Sequence, residues 1–310
     1  MKVCAVLNTE SGSLKKLDDI SEFCRHLETS FNSEGHDIEV RTVTGKDLLN
    51  VMENVAGNND YDTIVACGGD GTVSLTASLC HQHDKTCGVL PAGTMNLYAR
   101  TLGIPLDIHK AAEAIAAAEI KACDIATANG RAFVHQFSLG LQPEIIRVRD
   151  QIKHTNSTGK MLSGLKATMT VLSDEPQTYS VRFDGDGEEP FQEVSVMTVS
   201  NNLYGQDQLP YADKPDGGTL GLYWAPPLGR LDAVGLITDI LSGSWNHNQH
   251  LVERAIDEIV LTFEDPGPNE NASLDGELVE LEETMHFKTH KGALKVLVPE
   301  QVSLVEQWLS

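Results

Sequence analysis

The first part of the chain alternates short apolar runs with helical patterns. Val3–Leu7 and Thr63–Cys67 are continuous buried-strand patterns, whereas Ser13–Phe31 places its apolar side chains at helical spacing. Further strands are predicted at Ile38–Val43 and Cys87–Leu90, and further helices at Asp47–Val55, Thr72–Cys80 and Asn96–Leu102. Strands that alternate with helices predict βαβ units and a parallel sheet that is covered on both faces.

The pattern changes near Ile120, where strands begin to follow one another directly. Ala122–Ala128 and Ala132–Leu139 flank Asn129-Gly130, a strong hairpin signal because both turn positions need a positive φ. More strands are predicted at Gln177–Phe183, Phe191–Ser200, Thr219–Trp224, Ile256–Phe263 and Ala293–Val298, with helices near Lys160–Leu172 and Leu231–Leu241. This part of the chain is therefore predicted to be an antiparallel β domain.

Length, charge and cysteine content narrow the class of protein. A chain of 310 residues has room for about two domains. Its formal net charge of −22 argues against a nucleic-acid binder and against a permanent polybasic hold on a membrane. The most apolar helical stretch, Ala111–Ile120, is too short to span a bilayer. Six scattered cysteines without a Cys-x-x-Cys pair predict isolated buried thiols and a cytoplasmic protein.

The segment Gly68-Gly69-Asp70-Gly71-Thr72 carries the strongest chemical signal. It follows a predicted buried strand and precedes a predicted helix, and its glycines let the backbone turn sharply and approach a ligand. The start of a helix offers N–H groups and a positive dipole to a phosphate, and Thr72 can cap that helix. Asp70 would place a carboxylate where a cation or a polar group needs orienting. We favour this interpretation over a purely structural strand-to-helix turn.

A second loop, Pro91–Asn96, repeats this arrangement after the strand Cys87–Leu90. Gly93 allows close approach, while Thr94 and Asn96 offer hydrogen bonds at the start of a helix. Two such loops on neighbouring parallel strands are expected to face one crevice at the carboxyl ends of the sheet. A third, weaker element is the loop Asn8–Gly12 after the first strand.

These loops favour an enzyme that transfers phosphoryl groups. The enzyme would lack an ordinary P-loop, because neither Gly45-Lys46 nor Gly159-Lys160 is followed by Ser or Thr. Such a transfer needs held phosphates, neutralised charge and a base on the attacking hydroxyl. The amides of residues 68–72 can hold phosphates, Mg²⁺ can bridge them together with Asp70, and Asp275 or Glu277 can accept the proton. Taken alone, Asp275-Gly276 between two leucines predicts a hairpin turn.

The two glycine loops, spaced as they are from Gly103-Ile104-Pro105, resemble the catalytic domain of diacylglycerol kinases. This family includes soluble bacterial lipid kinases and the sphingosine and ceramide kinases, and the resemblance runs along the whole chain. It implies an α/β fold: an N-terminal Rossmann-like nucleotide-binding domain over 1–122, and a C-terminal antiparallel β-sandwich lipid-substrate domain over 123–288. The final strand, within 289–310, would return to the first domain.

The resemblance also implies an activity and a site. The activity is ATP-dependent, Mg²⁺-assisted phosphorylation of a hydroxyl on diacylglycerol or a similar lipid. The implied catalytic residues are Glu277, Asp275 and Asp70, and the implied metal ligands are Asp216 and Asp213 in the segment Asp213–Leu220. The implied nucleotide-binding residues are Asn8, Thr9, Gly12, Thr44, Gly68, Gly69, Asp70, Gly71, Thr72, Gly93, Thr94 and Asn96. The sequence departs from the family's Gly-rich stretch at Gly205–Pro210.

Two alternatives remain at this point. An NAD kinase or a phosphofructokinase-like kinase shares the Gly-Gly-Asp-Gly-Thr loop, although the Pro91–Asn96 loop with Ala99-Arg100 favours the lipid kinases. A nucleotide- or lipid-binding sensor without turnover is supported only by the divergent stretch Gly205–Pro210.

A lipid kinase would need transient contact with a membrane surface. Lys153, Lys160 and Lys166 on the predicted inserted helix are candidates for docking against headgroups, and a merely solvated lysine face is the alternative. The resemblance also suggests a homodimer through the β domain.

Overall fold

The computed structural model of the protein describes residues 1–140, 176–184, 190–206, 209–266 and 271–300. The chain forms two compact units. The first contains Met1–Asp124, Lys214–Asp216 and Lys291–Ser310, and the second contains Ile125–Asp213 and Gly217–His290. Within the described ranges, no helix combines the length and the apolar character needed to cross a bilayer. The predicted helix Lys160–Leu172 and its three candidate docking lysines lie outside the described residues.

The first unit is an α/β fold around a parallel sheet. Its strands are β1 (Lys2–Asn8), β2 (Asp37–Val43), β3 (Thr63–Gly68) and β4 (Thr86–Pro91), in the order β2-β1-β3-β4. Its helices are α1 (Ile20–Ser33), α2 (Leu48–Gly57), α3 (Asp70–Gln82), α4 (Leu97–Thr101) and α5 (Ile108–Ala116). β3 and β4 are buried along their whole length, as expected for parallel strands with both faces covered. The predicted parallel sheet is confirmed.

One predicted helix of this unit is wrong in part. The pattern Ser13–Phe31 predicts a single helix, but the chain forms a short 3₁₀ turn at Leu14–Lys16 and then α1 from Ile20. The break comes from Asp19, whose carboxylate accepts the Ser21 N–H at 2.8 Å and so fixes a new helix start.

The strands of the second unit lie in a six-stranded antiparallel sheet and in the antiparallel part of a ten-stranded mixed sheet, which also contains β1–β4. These strands are β5 (Glu119–Ala128, which begins in the first unit), β6 (Arg131–Phe133), β7 (Gln136–Leu139), β8 (Tyr179–Asp184), β9 (Gln192–Val194), β10 (Val196–Asn201), β11 (Leu220–Ala225), β12 (Val252–Ile256), β13 (Glu258–Phe263), β14 (Asn271–Leu274), β15 (Glu277–Glu280) and β16 (Thr284–Val298). One sheet has the order β12-β11-β10-β7-β14-β15. Phe137, Leu222, Leu261 and Phe287, from both sheets, share one buried core. The predicted sandwich is confirmed.

The last strand contributes to both units. In the second unit, β16 pairs antiparallel with β13, for instance through Phe287 and Ile259. Near its end it pairs parallel with β4 of the first unit, through Lys295 and Val296. The predicted return of the final strand to the first domain is therefore confirmed. A helix, α6 (Arg230–Ser242), packs against Ala225 through Ala233 and Leu236.

Two predicted strands of the second unit are divided where the chain passes from one sheet to the other. Ala132–Leu139 becomes β6, which pairs with β5, and β7, which pairs with β10 and β14. Phe191–Ser200 becomes β9 and β10 around the buried Ser195. The Asn129-Gly130 hairpin is confirmed, with φ values of 47° and 79°.

The cysteines are free thiols, and all but Cys24 are buried. Burial raises the pKa of Cys4 to about 11 and that of Cys123 to about 12. These two thiols are therefore protonated at neutral pH and unsuited to nucleophilic or metal-binding roles. This agrees with the prediction of buried structural cysteines.

Candidate functional site

Two glycine loops meet in the first unit at the carboxyl ends of β3 and β4. A Cβ built on Gly93 would lie 2.6 Å from the Cα of Gly69, so the two glycines pack backbone against backbone. The Ala92 N–H donates to the Gly68 carbonyl at 2.8 Å, and the Ser13 N–H donates to the Ala92 carbonyl at 2.9 Å. The loop after β1 thus joins the other two, and the sequence-predicted loops lie together.

Asp70 ties the two glycine loops to each other. One carboxylate oxygen accepts the Leu97 N–H at 2.7 Å and the other accepts the Asn96 N–H at 3.1 Å. Asn96 has φ 52° and its Oδ1 accepts the Gly93 N–H at 2.9 Å, which closes the loop on itself. Asp70 therefore satisfies the first N–H groups of α4 from the first residue of α3.

The start of α3 is open to an anion. The helix begins at Asp70, Gly69 is its N-cap residue, and no side chain in the described parts of the chain caps it. Its first-turn N–H groups and the helix dipole, equivalent to about half a positive charge, favour a phosphate there.

The prediction that Thr72 caps this helix is wrong. Because Gly69 is already extended and the helix starts at Asp70, Thr72 lies inside the first turn, where it is buried. Its Oγ1 instead accepts a hydrogen bond from Asn8 Nδ2 at 3.4 Å. Thr72 thus connects α3 to the end of β1.

Apart from Gly71, the remaining predicted nucleotide residues lie on the loops after β1, β2 and β4. Thr9 Oγ1 donates to the Val43 carbonyl at 3.0 Å, and Thr44 Oγ1 donates to Asp47 Oδ2 at 2.8 Å. Gly12 lies beside the Ala92 carbonyl, Gly71 lies in the first turn of α3, and the Thr94 side chain is exposed. Sequence reasoning missed Glu10, which accepts the Gly45 N–H at 2.9 Å and links the loops after β1 and β2.

Asp70 gives a stability prediction. Replacing Asp70 by Ala leaves the Asn96 and Leu97 N–H groups without their acceptor, so we expect the free energy of unfolding to fall by about 2 kcal/mol. Asp70→Asn keeps one acceptor oxygen and should lose less. Urea unfolding of the full chain measures both, and equal stability of Asp70→Ala and the unmodified protein would contradict this role.

Asp275 and Glu277 lie in the second unit, on the hairpin between β14 and β15. Asp275 and Gly276 form its turn, with φ values of 48° and 84°, so the predicted hairpin turn is confirmed. Asp275 is 5% exposed, and its carboxylate accepts three backbone N–H groups: Val134 at 2.9 Å, His135 at 2.9 Å and Gln136 at 2.8 Å. This carboxylate therefore fixes the corner formed by residues 134–136, where the chain passes from β6 in one sheet to β7 in the other.

Glu277 has a different environment two residues later. Its side chain is 59% exposed, and Oε2 accepts a hydrogen bond from Arg131 Nη2 at 3.1 Å. The carboxylate is thus held in position yet accessible to solvent. Of the two carboxylates, Glu277 is the one available for chemistry with a bound substrate.

The buried contacts of Asp275 predict a large stability effect. Asp275→Asn replaces one acceptor oxygen by an NH₂ group that cannot accept a backbone N–H, and we expect a loss of about 3 kcal/mol. Asp265 is a matched control, because it also has a positive φ, 47°, but is exposed, so Asp265→Asn should have little effect. Chemical denaturation tests this, and an unchanged midpoint for Asp275→Asn would show that the three hydrogen bonds contribute nothing.

The predicted metal ligands Asp213 and Asp216 are exposed. They are not brought into a carboxylate cluster: the described residues contain no group of three or more His, Cys, Asp or Glu side chains that could hold a metal ion. A residue that sequence reasoning missed is Asp124, whose N–H donates to the Pro215 carbonyl at 2.7 Å and whose Oδ1 accepts the Gly292 N–H at 2.8 Å. Its signal was a carboxylate inside the apolar run Ala122–Ala128.

Comparison with known proteins gives consistent results. Residues 2–128 match the family model of the diacylglycerol kinase catalytic domain. The chain is 26% identical over 237 residues to the diacylglycerol kinase of Bacillus subtilis (strain 168), which covers 74% of this chain and 78% of that protein. A crystal structure of a diacylglycerol kinase from Bacillus anthracis str. Sterne superposes with a TM-score of 0.67 at 20% identity, covering 96% of both chains. The last similarity shows a shared fold.

Proposed function

We propose that this chain, whose residues 2–128 belong to the diacylglycerol kinase catalytic-domain family, transfers the γ-phosphoryl group of ATP to a hydroxyl of diacylglycerol or a similar lipid. The family match and the curated relatives support a lipid kinase. The proposal adds ATP as the phosphoryl donor, Mg²⁺ as the metal ion and a diacylglycerol-like lipid as the acceptor. The observation that carries it is the contact between Gly69 and Gly93 beside the uncapped start of α3.

In this proposal the first unit holds the nucleotide. The N–H groups of the first turn of α3 bind phosphate oxygens, where the helix dipole adds to the attraction. Thr94 supplies an exposed hydroxyl from the second loop. Asn8 contributes from the end of β1, and Thr9, Gly12 and Thr44 contribute from the loops after β1 and β2. Asp70 holds the two glycine loops together, because its carboxylate accepts the N–H groups of Asn96 and Leu97. In this proposal it does not bind the nucleotide directly.

The residues present fit magnesium only as a mostly hydrated ion. Mg²⁺ usually keeps several waters and takes one or two carboxylates, and the exposed Asp213 and Asp216 carboxylates suit that mode. They do not suit a closed all-protein cage, because the described residues provide no third carboxylate beside them. When bound, the ion would neutralise negative charge on the phosphates.

Glu277 is the proposed general base of the second unit. It accepts the proton of the lipid hydroxyl as that oxygen attacks phosphorus, and Arg131 keeps its carboxylate in position. Asp275 is proposed to act through the backbone instead, by fixing the turn on which Glu277 lies. The buried Asp275 carboxylate already accepts three backbone N–H groups, whereas the Glu277 carboxylate is exposed.

The test is phosphoryl transfer from labelled ATP in the presence of Mg²⁺. The lipid acceptors are dispersed diacylglycerol, ceramide and sphingosine. The soluble acceptors are NAD and fructose 6-phosphate. We expect label in the diacylglycerol fraction. Faster labelling of a soluble acceptor would favour the NAD kinase or sugar kinase alternative. Tight ATP binding by folded protein without transfer to any acceptor would favour the sensor.

Three further features belong to the same proposal. A kinase of this kind would work in the cytoplasm and touch the membrane surface only during turnover, and the protein would form a homodimer through the β domain. The net charge of −22 supports transient rather than permanent membrane contact.

A further inference from the structure

Asn202 combines two unfavourable features. Its side chain is 2% exposed, and neither Oδ1 nor Nδ2 has a hydrogen-bond partner in the described structure. Its φ is 72°, in the left-handed region that non-glycine residues rarely adopt. An unpaired buried amide group costs about 1–3 kcal/mol. Strained backbone of this kind clusters at active sites and ligand-binding positions.

The backbone around Asn202 holds this side chain in place. The Asn202 N–H donates to the Thr219 carbonyl at 3.0 Å, and its own carbonyl accepts Ser200 Oγ at 2.6 Å. A Cβ on Gly217 would lie 2.7 Å from Asn202 Oδ1, so a glycine at 217 makes room for the amide. The side chain is therefore fixed at the end of β10, beside the segment that leads into β11.

This end of the sheet also holds the turn that carries the proposed base. Asn201 donates its N–H to the His135 carbonyl at 2.8 Å and its Nδ2 to the Val134 carbonyl at 3.2 Å. The N–H groups of the same corner, Val134–Gln136, bind the carboxylate of Asp275. Asn202 is thus one residue from a segment that positions the β14–β15 turn, and all of these residues belong to the second unit.

The chemistry of an unpaired carboxamide selects its ligand. It offers one acceptor oxygen and an NH₂ donor side by side, and a hydroxyl group is a small neutral group that can both donate and accept. We propose that Asn202 is a specificity-determining residue whose carboxamide binds a hydroxyl of the lipid headgroup. This inference rests on the proposed function, and it assigns substrate recognition to a residue outside the glycine loops and the hairpin turn.

The test compares two lipids that differ by one hydroxyl. One is 1,2-dioctanoylglycerol, and the other is the same diester with a methyl in place of the hydroxymethyl group. Calorimetric titration without nucleotide gives the ratio of their dissociation constants. We expect the unmodified protein to prefer the hydroxyl-bearing lipid by about tenfold or more. In Asn202→Gly the preference should fall below about threefold, with an unchanged or raised Tm because glycine accepts this φ.

Asn129→Gly is the matched control. Asn129 also has a positive φ, 47°, but its amide is paired: Nδ2 donates to the Thr284 carbonyl at 2.9 Å and Oδ1 accepts the His286 N–H at 2.7 Å. This variant should lower the Tm and keep the lipid preference. An Asn202→Gly protein that keeps the full preference overturns the inference while the proposed function stands. If the unmodified protein binds neither lipid and phosphorylates none, both fall.

Discussion

Glu277→Gln is expected to lower kcat for phosphoryl transfer by about 10²–10⁴-fold, the usual contribution of a general base. The Glu277 side chain is exposed on β15, and Gln has the same shape, so folding and nucleotide binding should be unchanged. The measurements are kcat with diacylglycerol, the Kd of ATP and the Tm. A drop in kcat alone is the predicted result.

Glu280→Gln is the control for this variant, because Glu280 is an exposed glutamate at the other end of the same strand. It should retain full activity. If Glu277→Gln keeps more than about a third of the normal kcat, Glu277 is not the base. If Asp275→Asn, corrected for its folded fraction, loses activity while Glu277→Gln does not, the two carboxylates have exchanged the roles proposed for them.

Gly93→Ala is expected to weaken ATP binding by at least about tenfold. Its new Cβ would lie 2.6 Å from the Gly69 Cα and 2.9 Å from Asn96 Oδ1, and the first of these neighbours is backbone that cannot rotate away. Overpacking of this kind typically costs about 1–3 kcal/mol. We expect the two glycine loops to move apart to relieve it, which would disturb the phosphate site. Calorimetric titration with ATP measures the effect.

Gly57→Ala controls for the loss of a glycine, because a Cβ at position 57 in α2 meets nothing within 4 Å. It should bind ATP normally and be at least as stable as the unmodified protein. Normal ATP binding by Gly93→Ala would show that the contact between the loops is not needed for the nucleotide.

The parts of the fold that could be predicted are those with local causes. Continuous apolar runs such as Thr63–Cys67 define buried strands without reference to partners, and Asn129-Gly130 defines its hairpin by its own φ requirements. The break before α1 also has a local cause in Asp19, which could have been recognised as a helix cap. The divisions at 134–135 and at Ser195 could not be predicted, because they depend on which distant strand each half pairs with.

In the candidate site, too, features with local causes could be predicted and those that depend on distant residues could not. The proximity of Gly69 and Gly93 could be predicted because neighbouring parallel strands end at one edge of a sheet. The hydrogen bonds from residues 134–136 to the Asp275 carboxylate join positions about 140 residues apart in the sequence. Nothing local in the turn indicates them. Asn202 was missed for a related reason: an asparagine after a strand looks like an ordinary turn residue until its burial and missing partners are known.

A crystal structure with a non-hydrolysable ATP analogue and Mg²⁺ would show directly whether the two glycine loops bind the nucleotide. We expect the phosphates to lie against the N–H groups at the start of α3, with Gly93 and Thr94 in contact with the same phosphate chain. Phosphates bound anywhere else, with the start of α3 solvated, would contradict it.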